Sequence, residues 1–196
     1  MSESDGYLLP TSWEGADFLL RQEVPRQSNP HSGRIAVIAI GNPYRGDDGI
    51  GLAIIRALAN NPHLPLGVDI IDCSSGSFID ALLSQLYEYV LIVDAADMGL
   101  LPGAWKCFNL NEALFLNSKN GASITGHFIG LVEVLALIEV LDINMPQLEV
   151  LGIQPQSLEW SMDLSDQLID AIPEICQVIL EKLKRRNLDY GKDTGS

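Results

Sequence analysis

The run Ile35-Ala-Val-Ile-Ala-Ile40, cut off by Gly41-Asn42-Pro43, is the feature that most limits what this chain can become. A strand alternates its side chains between two faces. Six successive apolar residues therefore leave no wet face, and a strand built from them must be buried on both sides. Strands of that kind belong to parallel sheets covered by helices. The chain repeats the theme. Helical apolar spacing covers 50–58 and ends near Asn60-Asn-Pro62, and a second strand fits 68–72. A helix follows over 78–86 with Ser77 as its candidate cap, then a third strand, Tyr89-Val-Leu-Ile-Val93, closing on Asp94. A looser strand fits 104–110 and another 147–153. A helix over about 126–141 is apolar nearly all the way round, the mark of a buried helix. The last helix fits 164–183, kinked or restarted at Pro173. Strands alternating with helices predict an α/β fold with a mostly parallel central sheet.

At 196 residues the chain fits one domain. Residues 1–33 contain Pro10, Pro25 and Pro30 without sustained periodicity and read as a partly disordered extension, with one short helix over about 13–21. The domain proper is expected over 34–185, followed by a polar tail over 186–196. Apolar residues at 47% and charged residues at 19% suit a globular chain. No apolar run approaches the roughly 20 residues that span a bilayer, and the amino terminus lacks the basic and apolar regions of a secretory signal. The expectation is a soluble, cytoplasmic protein with no membrane association. A net charge of −14 argues against nucleic acid, whose binding needs a basic footprint. The basic cluster Lys182-Leu-Lys-Arg-Arg186 reads as a helix end, where cations complement the dipole. Cys73, Cys107 and Cys176 form no CxxC pair and read as buried thiols in a reducing compartment. Without an apolar seam, a monomer is the default.

In sheets of this class ligands sit beyond the carboxyl ends of strands, near a switch in strand order. Three segments lie at such ends. Gly41-Asn-Pro-Tyr-Arg-Gly-Asp47-Asp48-Gly-Ile-Gly51 leads from strand into helix. It lacks the Gly-Lys-Ser/Thr ending of a phosphate loop, and two carboxylates repel a pyrophosphate. Asp47 and Asp48 are also explained as helix caps; for Asp47 the cap is the favoured reading. Asp94 ends a buried strand. His127, in Ser123-Ile-Thr-Gly-His127-Phe128, sits in the first turn of the buried helix, where the positive helix end favours the neutral imidazole that a metal ligand needs. His31 and His63 carry no such context. Each residue alone has a structural explanation. If the three ends share one cleft, Asp48, Asp94 and His127 form a mixed oxygen–nitrogen set suited to nickel or zinc. The residues by themselves leave the substrate open.

At these positions the chain resembles the maturation endopeptidases of nickel–iron hydrogenases. The resemblance runs through Gly41-Asn42…Asp47-Asp48-Gly49-Ile-Gly51, Asp72-Cys-Ser-Ser-Gly76, Leu91-Ile-Val-Asp94-Ala-Ala96, Ser123-x-x-x-His127, and Gly152-Ile-Gln-Pro155 with Trp160 and Leu164-Ser165. It covers roughly residues 34–185, with the motifs in order. It implies a three-layer α/β/α sandwich and an aspartyl- or metallo-type endopeptidase that removes a C-terminal peptide from the nickel-loaded precursor of a hydrogenase large subunit. Asp48, Asp94 and His127 are the implied metal-binding and catalytic residues. The metal is nickel, held by the protein or belonging to the substrate, with zinc or cadmium as substitutes. Two mechanisms stay open: a resident metal polarising the scissile carbonyl, or the triad gripping the substrate's nickel. Some relatives carry glutamate where this chain has Asp48. The alternative is a nickel-binding maturation chaperone without proteolysis.

Overall fold

A computed structural model describes residues 35–74, 87–109, 112 and 146–193, with 188–193 described by backbone alone. Among the described residues five strands form one sheet: β1 (Ile35–Ala39), β2 (Val68–Asp72), β3 (Tyr89–Ala95), β4 (Trp105–Asn109) and β5 (Gln147–Ile153). Their order is β2-β1-β3-β5-β4. The first four in that order run parallel, and β4 pairs antiparallel along β5, with Trp105 opposite Ile153. The protein is thus an α/β fold with a mostly parallel sheet, as the apolar runs predict. The antiparallel direction of β4 is not legible in the sequence, because its burial is only partial and its alternation carries no sense of direction.

A 3-10 turn (Gly46–Gly49) leads into helix α1 (Ile50–Ala59), which Asn60 closes by donating its side-chain amide to the Arg56 carbonyl at 2.9 Å. Helix α2 (Asp166–Asp193) begins at Ser165, whose carbonyl accepts from the Leu168 and Ile169 amides at 3.0 and 3.1 Å. Leu168, Ile172, Ile175, Cys176, Ile179, Leu180 and Leu183 form one apolar stripe at helical spacing. They share a single core with Ile50, Leu52, Ile54, Ile55 and Leu58 of α1 and with Val37, Leu91, Val93 and Leu151 of the sheet. Both helices therefore cover the same face. The residues facing away from them, Ala36, Ile38, Val90 and Ile92, are equally inaccessible. Both faces of the sheet are buried, as a three-layer sandwich requires.

The last helix runs through Pro173 as one element, which excludes the restart among the two readings of that proline. An interior proline costs about 3 kcal/mol, and a stripe of large apolar residues, each contributing about 1.5–3 kcal/mol on burial, outweighs it. The helix also continues to Asp193, so the basic cluster does not sit at its end. Lys182 and Arg186 instead reach across to Glu149 on β5, Arg186 at 3.0 Å. Arg186 also donates to Gln147 at 2.7 Å and stacks over the Tyr89 ring at 4.5 Å. Burial raises the Glu149 carboxyl's pKa, but the Lys182 and Arg186 charges win and hold it below its ordinary value. The three cysteines form no disulfide; Cys73 and Cys176 are buried and Cys107 half-buried. The helices expected over 13–21, 78–86 and 126–141 lie outside the described residues. No helix among those described is long and apolar enough to cross a membrane.

Candidate active site

β2 and β3 flank β1 on opposite sides, so the strand order switches beside β1. At that point the carboxyl ends of β1 and β3 open, and both predicted acids sit there. Asp94 is the sixth residue of β3, opposite Gly152 of β5, and is 1% exposed. Asp48 lies in the 3-10 turn after β1 and is 3% exposed.

Glycine makes their approach possible. Gly41 has φ +129°, and a Cβ there would stand 2.1 Å from the Asp48 carbonyl oxygen and 3.7 Å from Asp94 Oδ1. Gly41 thus lets the Asp48 backbone pack tightly beside the strand end that carries Asp94, and any side chain there would push that backbone away. The next residue fixes the Asp48 carboxylate, because the Asn42 amide donates to its Oδ2 at 2.9 Å. Gly51 allows a second close approach at the start of α1. A Cβ on it would fall 2.6 Å from the Val93 carbonyl and 2.9 Å from that of Ile40. The start of α1 therefore rests directly on the ends of β1 and β3.

Asp47 does something the sequence did not show. It makes no cap bond to its own helix. Its Oδ2 accepts from the Gln156 amide at 2.7 Å, the Ser157 amide at 3.0 Å and the Ser165 hydroxyl at 3.0 Å, and its Oδ1 from the Ser165 amide at 2.7 Å. Asp47 is a buried clasp between the loop after β1 and the loop leading to α2. Gln154 does the same for the loop after β3. Its Oε1 accepts from the Met98 and Leu100 amides at 2.7 and 3.1 Å, and its Nε2 donates to Asp97 Oδ1 at 3.1 Å. The only sequence signal for Gln154 was its place in Gly152-Ile-Gln-Pro155.

The third predicted residue, His127, lies outside the described residues. Among those described, no group of three or more His, Cys, Asp or Glu side chains is placed to hold a metal ion. Two buried carboxylates at one sheet edge are what the structure brings together.

With this geometry in view, the similarities to known proteins are informative. The sequence profile of the HycI family, described as hydrogenase maturation protease, matches residues 52–182. The chain belongs to the hydrogenase maturation protease family. The hydrogenase 2 maturation protease of Escherichia coli is 27% identical over 161 residues, covering 80% of this chain and 94% of that protein. The hydrogenase expression/formation protein HupD of Bradyrhizobium diazoefficiens is 29% identical over 154 residues, 76% of this chain and 79% of HupD. The solved structure of the hydrogenase maturating endopeptidase HybD from Escherichia coli superposes with a TM-score of 0.68 at 25% identity, over 78% of this chain and 93% of the other. The HybD protease of Thermococcus kodakarensis gives 0.61 at 27% identity, over 76% and 98%. This maturation protease is a hydrolase of peptide bonds, and its two buried acids stand at the edge where α/β enzymes bind their ligands.

Proposed function

We propose that this protease removes a C-terminal peptide from the nickel-loaded precursor of a hydrogenase large subunit, and that Asp48, Asp94 and His127 engage the substrate's nickel. The observation that carries this reading is that Asp48 and Asp94, both nearly inaccessible, lie at the same carboxyl edge of the sheet beside Gly41. Carboxylate oxygens with an imidazole suit a divalent metal of nickel's class. Two like charges at one low-dielectric edge also favour a cation between them. A metal so held polarises a carbonyl and acidifies bound water. The chain's own work is positional: Asn42 aims the Asp48 carboxylate, and the Asp47 clasp holds the loop that carries it. In this reading a precursor without nickel presents no cation to the acids and is not cut, which makes processing a checkpoint on metal loading. In this reading the protein acts in the cytoplasm and works as a monomer.

The test is the intact mass of the precursor after incubation with the protein, with and without prior nickel loading. The expected result is loss of a short C-terminal peptide from the loaded precursor only, abolished by Asp48→Asn or Asp94→Asn in variants that melt like the wild type. Equal cutting of loaded and unloaded precursor would sink the nickel-gated reading. Binding without any cutting of a competent precursor would transfer the site to a chaperone role.

A further inference from the structure

Large apolar side chains left in water are unevenly distributed. Six are exposed among the described residues: Tyr44, Leu66, Leu100, Leu101, Trp160 and Met162. Five of them lie on loops that leave the carboxyl ends of β1, β3 and β5, the edge that holds Asp48 and Asp94. Only Leu66, just before β2, lies at the opposite edge.

These loops are built to hold still. The Gly46 amide donates to the Ser161 carbonyl at 2.8 Å and the Ser161 amide to that of Tyr44 at 3.1 Å, pairing Arg45 with Ser161 like neighbouring strands. Arg45 adds a bond from Nε to the Leu158 carbonyl at 3.2 Å and lies 6.0 Å from the centre of the Trp160 ring. Asp47 clasps the same two loops from beneath. On the other side, Gln154 pins the turn that presents Leu100 and Leu101. Trp160 is nonetheless 79% exposed and Leu101 81%. A chain that commits buried polar groups to fixing loops whose apolar tips face water has prepared a binding surface: ordering its side chains in advance removes the entropy cost of doing so on binding. Large apolar side chains gathered on the loops of one edge point to an interaction site, and tryptophan and tyrosine are among the residue types that dominate interface energies.

We propose that the exposed apolar side chains of this edge, Trp160 with Tyr44 and Met162 on the loops after β5 and β1 and Leu100 and Leu101 on the loop after β3, form the docking surface for the precursor, gripping an apolar stretch of the substrate chain beside the peptide bond to be cut. The commitment to the precursor rests on the function proposed above and on continuity with the acid pair. Asp48 follows Tyr44 by four residues in the same loop, and Leu100 follows Asp94 by six. Docking here places the substrate against the acids, whereas an unrelated partner on this edge would block them. The rim supplies affinity and the acids supply chemistry, so the two are separable by experiment.

The experiment measures processing of nickel-loaded precursor against precursor concentration for the wild type, Trp160→Ala, Trp160→Phe, Tyr44→Ala and the opposite-edge control Leu66→Ala, alongside direct binding to the immobilised proteins. The side chains changed are all solvent-facing, and thermal melts confirm that the variants are folded. The expected result is a KM, and a dissociation constant, raised at least about tenfold in Trp160→Ala. Tyr44→Ala gives a smaller rise, Trp160→Phe recovers most of the loss, kcat stays within about twofold, and Leu66→Ala matches the wild type. Unchanged KM and binding in folded Trp160→Ala and Tyr44→Ala would overturn the proposal. So would an equal effect of Leu66→Ala, or a wild-type dimer that Trp160→Ala dissociates, which would assign the rim to a second copy. If the wild type binds without cutting and Trp160→Ala loses that binding, the docking surface stands and the peptidase reading falls.

Discussion

Replacing Asp47 tests whether the loops around the acid pair are held by one carboxylate. In Asp47→Ala three backbone amides (Gln156, Ser157 and Ser165) and one hydroxyl lose their acceptor together. A buried donor left unsatisfied costs about 1–3 kcal/mol. The vacated space lies beside exposed loop residues where water can enter, so the lower end of that range applies to each, and the expected loss is about 3–5 kcal/mol. Asp47→Asn separates charge from geometry. An asparagine keeps three of the four bonds by placing its oxygen where Oδ2 stands, and its nitrogen then faces the Ser165 amide without an acceptor. The variant loses one bond and the charge assistance of the rest, about 2 kcal/mol. The assay is equilibrium denaturation in urea at pH 7, comparing midpoints at a common slope. Against a typical total of about 5–15 kcal/mol, the alanine variant forfeits a large share. If it lies within about 1 kcal/mol of the wild type, or if the two variants are equally destabilised, the clasp is not what holds these loops.

Gly41→Ala drives a Cβ into the Asp48 carbonyl at a φ that alanine resists. It is expected to cost at least about 2 kcal/mol and, by shifting the Asp48 backbone and the carboxylate it carries, to lower kcat/KM for precursor processing by about a hundredfold; activity within twofold of the wild type would refute the role of Gly41 in placing Asp48. Glu149→Gln is expected to cost about 1–3 kcal/mol at pH 7 by leaving Lys182 and Arg186 without their carboxylate. Because the Glu149 pKa in the folded protein lies below its ordinary 4.5, its stabilisation is complete above that value and disappears as pH falls through the folded one. The gap between wild type and variant in melting experiments should therefore close below about pH 4.5, and a gap constant from pH 7 to 3 would exclude the linkage.

How much of the molecule is legible in its sequence follows from the range over which each signal acts. β1 and β3 announce themselves because burial on both faces imposes an apolar residue at nearly every position, a constraint written along the chain itself. The stop after Ile40 is equally local: Gly41-Asn42-Pro43 carries the turn in its own residue types. The same reasoning places Asp94 at a strand end, and the structure puts it there. The ordered acid and glycine motifs carry the family.

What tertiary structure decided were the partnerships. Asp47 is expected from sequence to cap its own helix, since an acid in a first turn has that use. Its actual donors lie 109, 110 and 118 residues away, a separation at which no period or spacing conveys contact. The cations of 182–186 look like a helix terminus for the same reason, until α2 is seen to continue past them and Glu149 to stand opposite. Which apolar residues remain in water is likewise undecided by the chain alone. Trp160 and Leu164 are both apolar and only four positions apart, yet one is 79% and the other 5% exposed, because burial depends on which surfaces the fold brings together. By itself the sequence determined the strands, their two-sided burial and two acids at strand ends. The fold decided that Asp48 and Asp94 share one edge beside Gly41 and that five exposed apolar side chains lie on the loops of that edge, because such adjacency belongs to surfaces distant in the chain and close only in space.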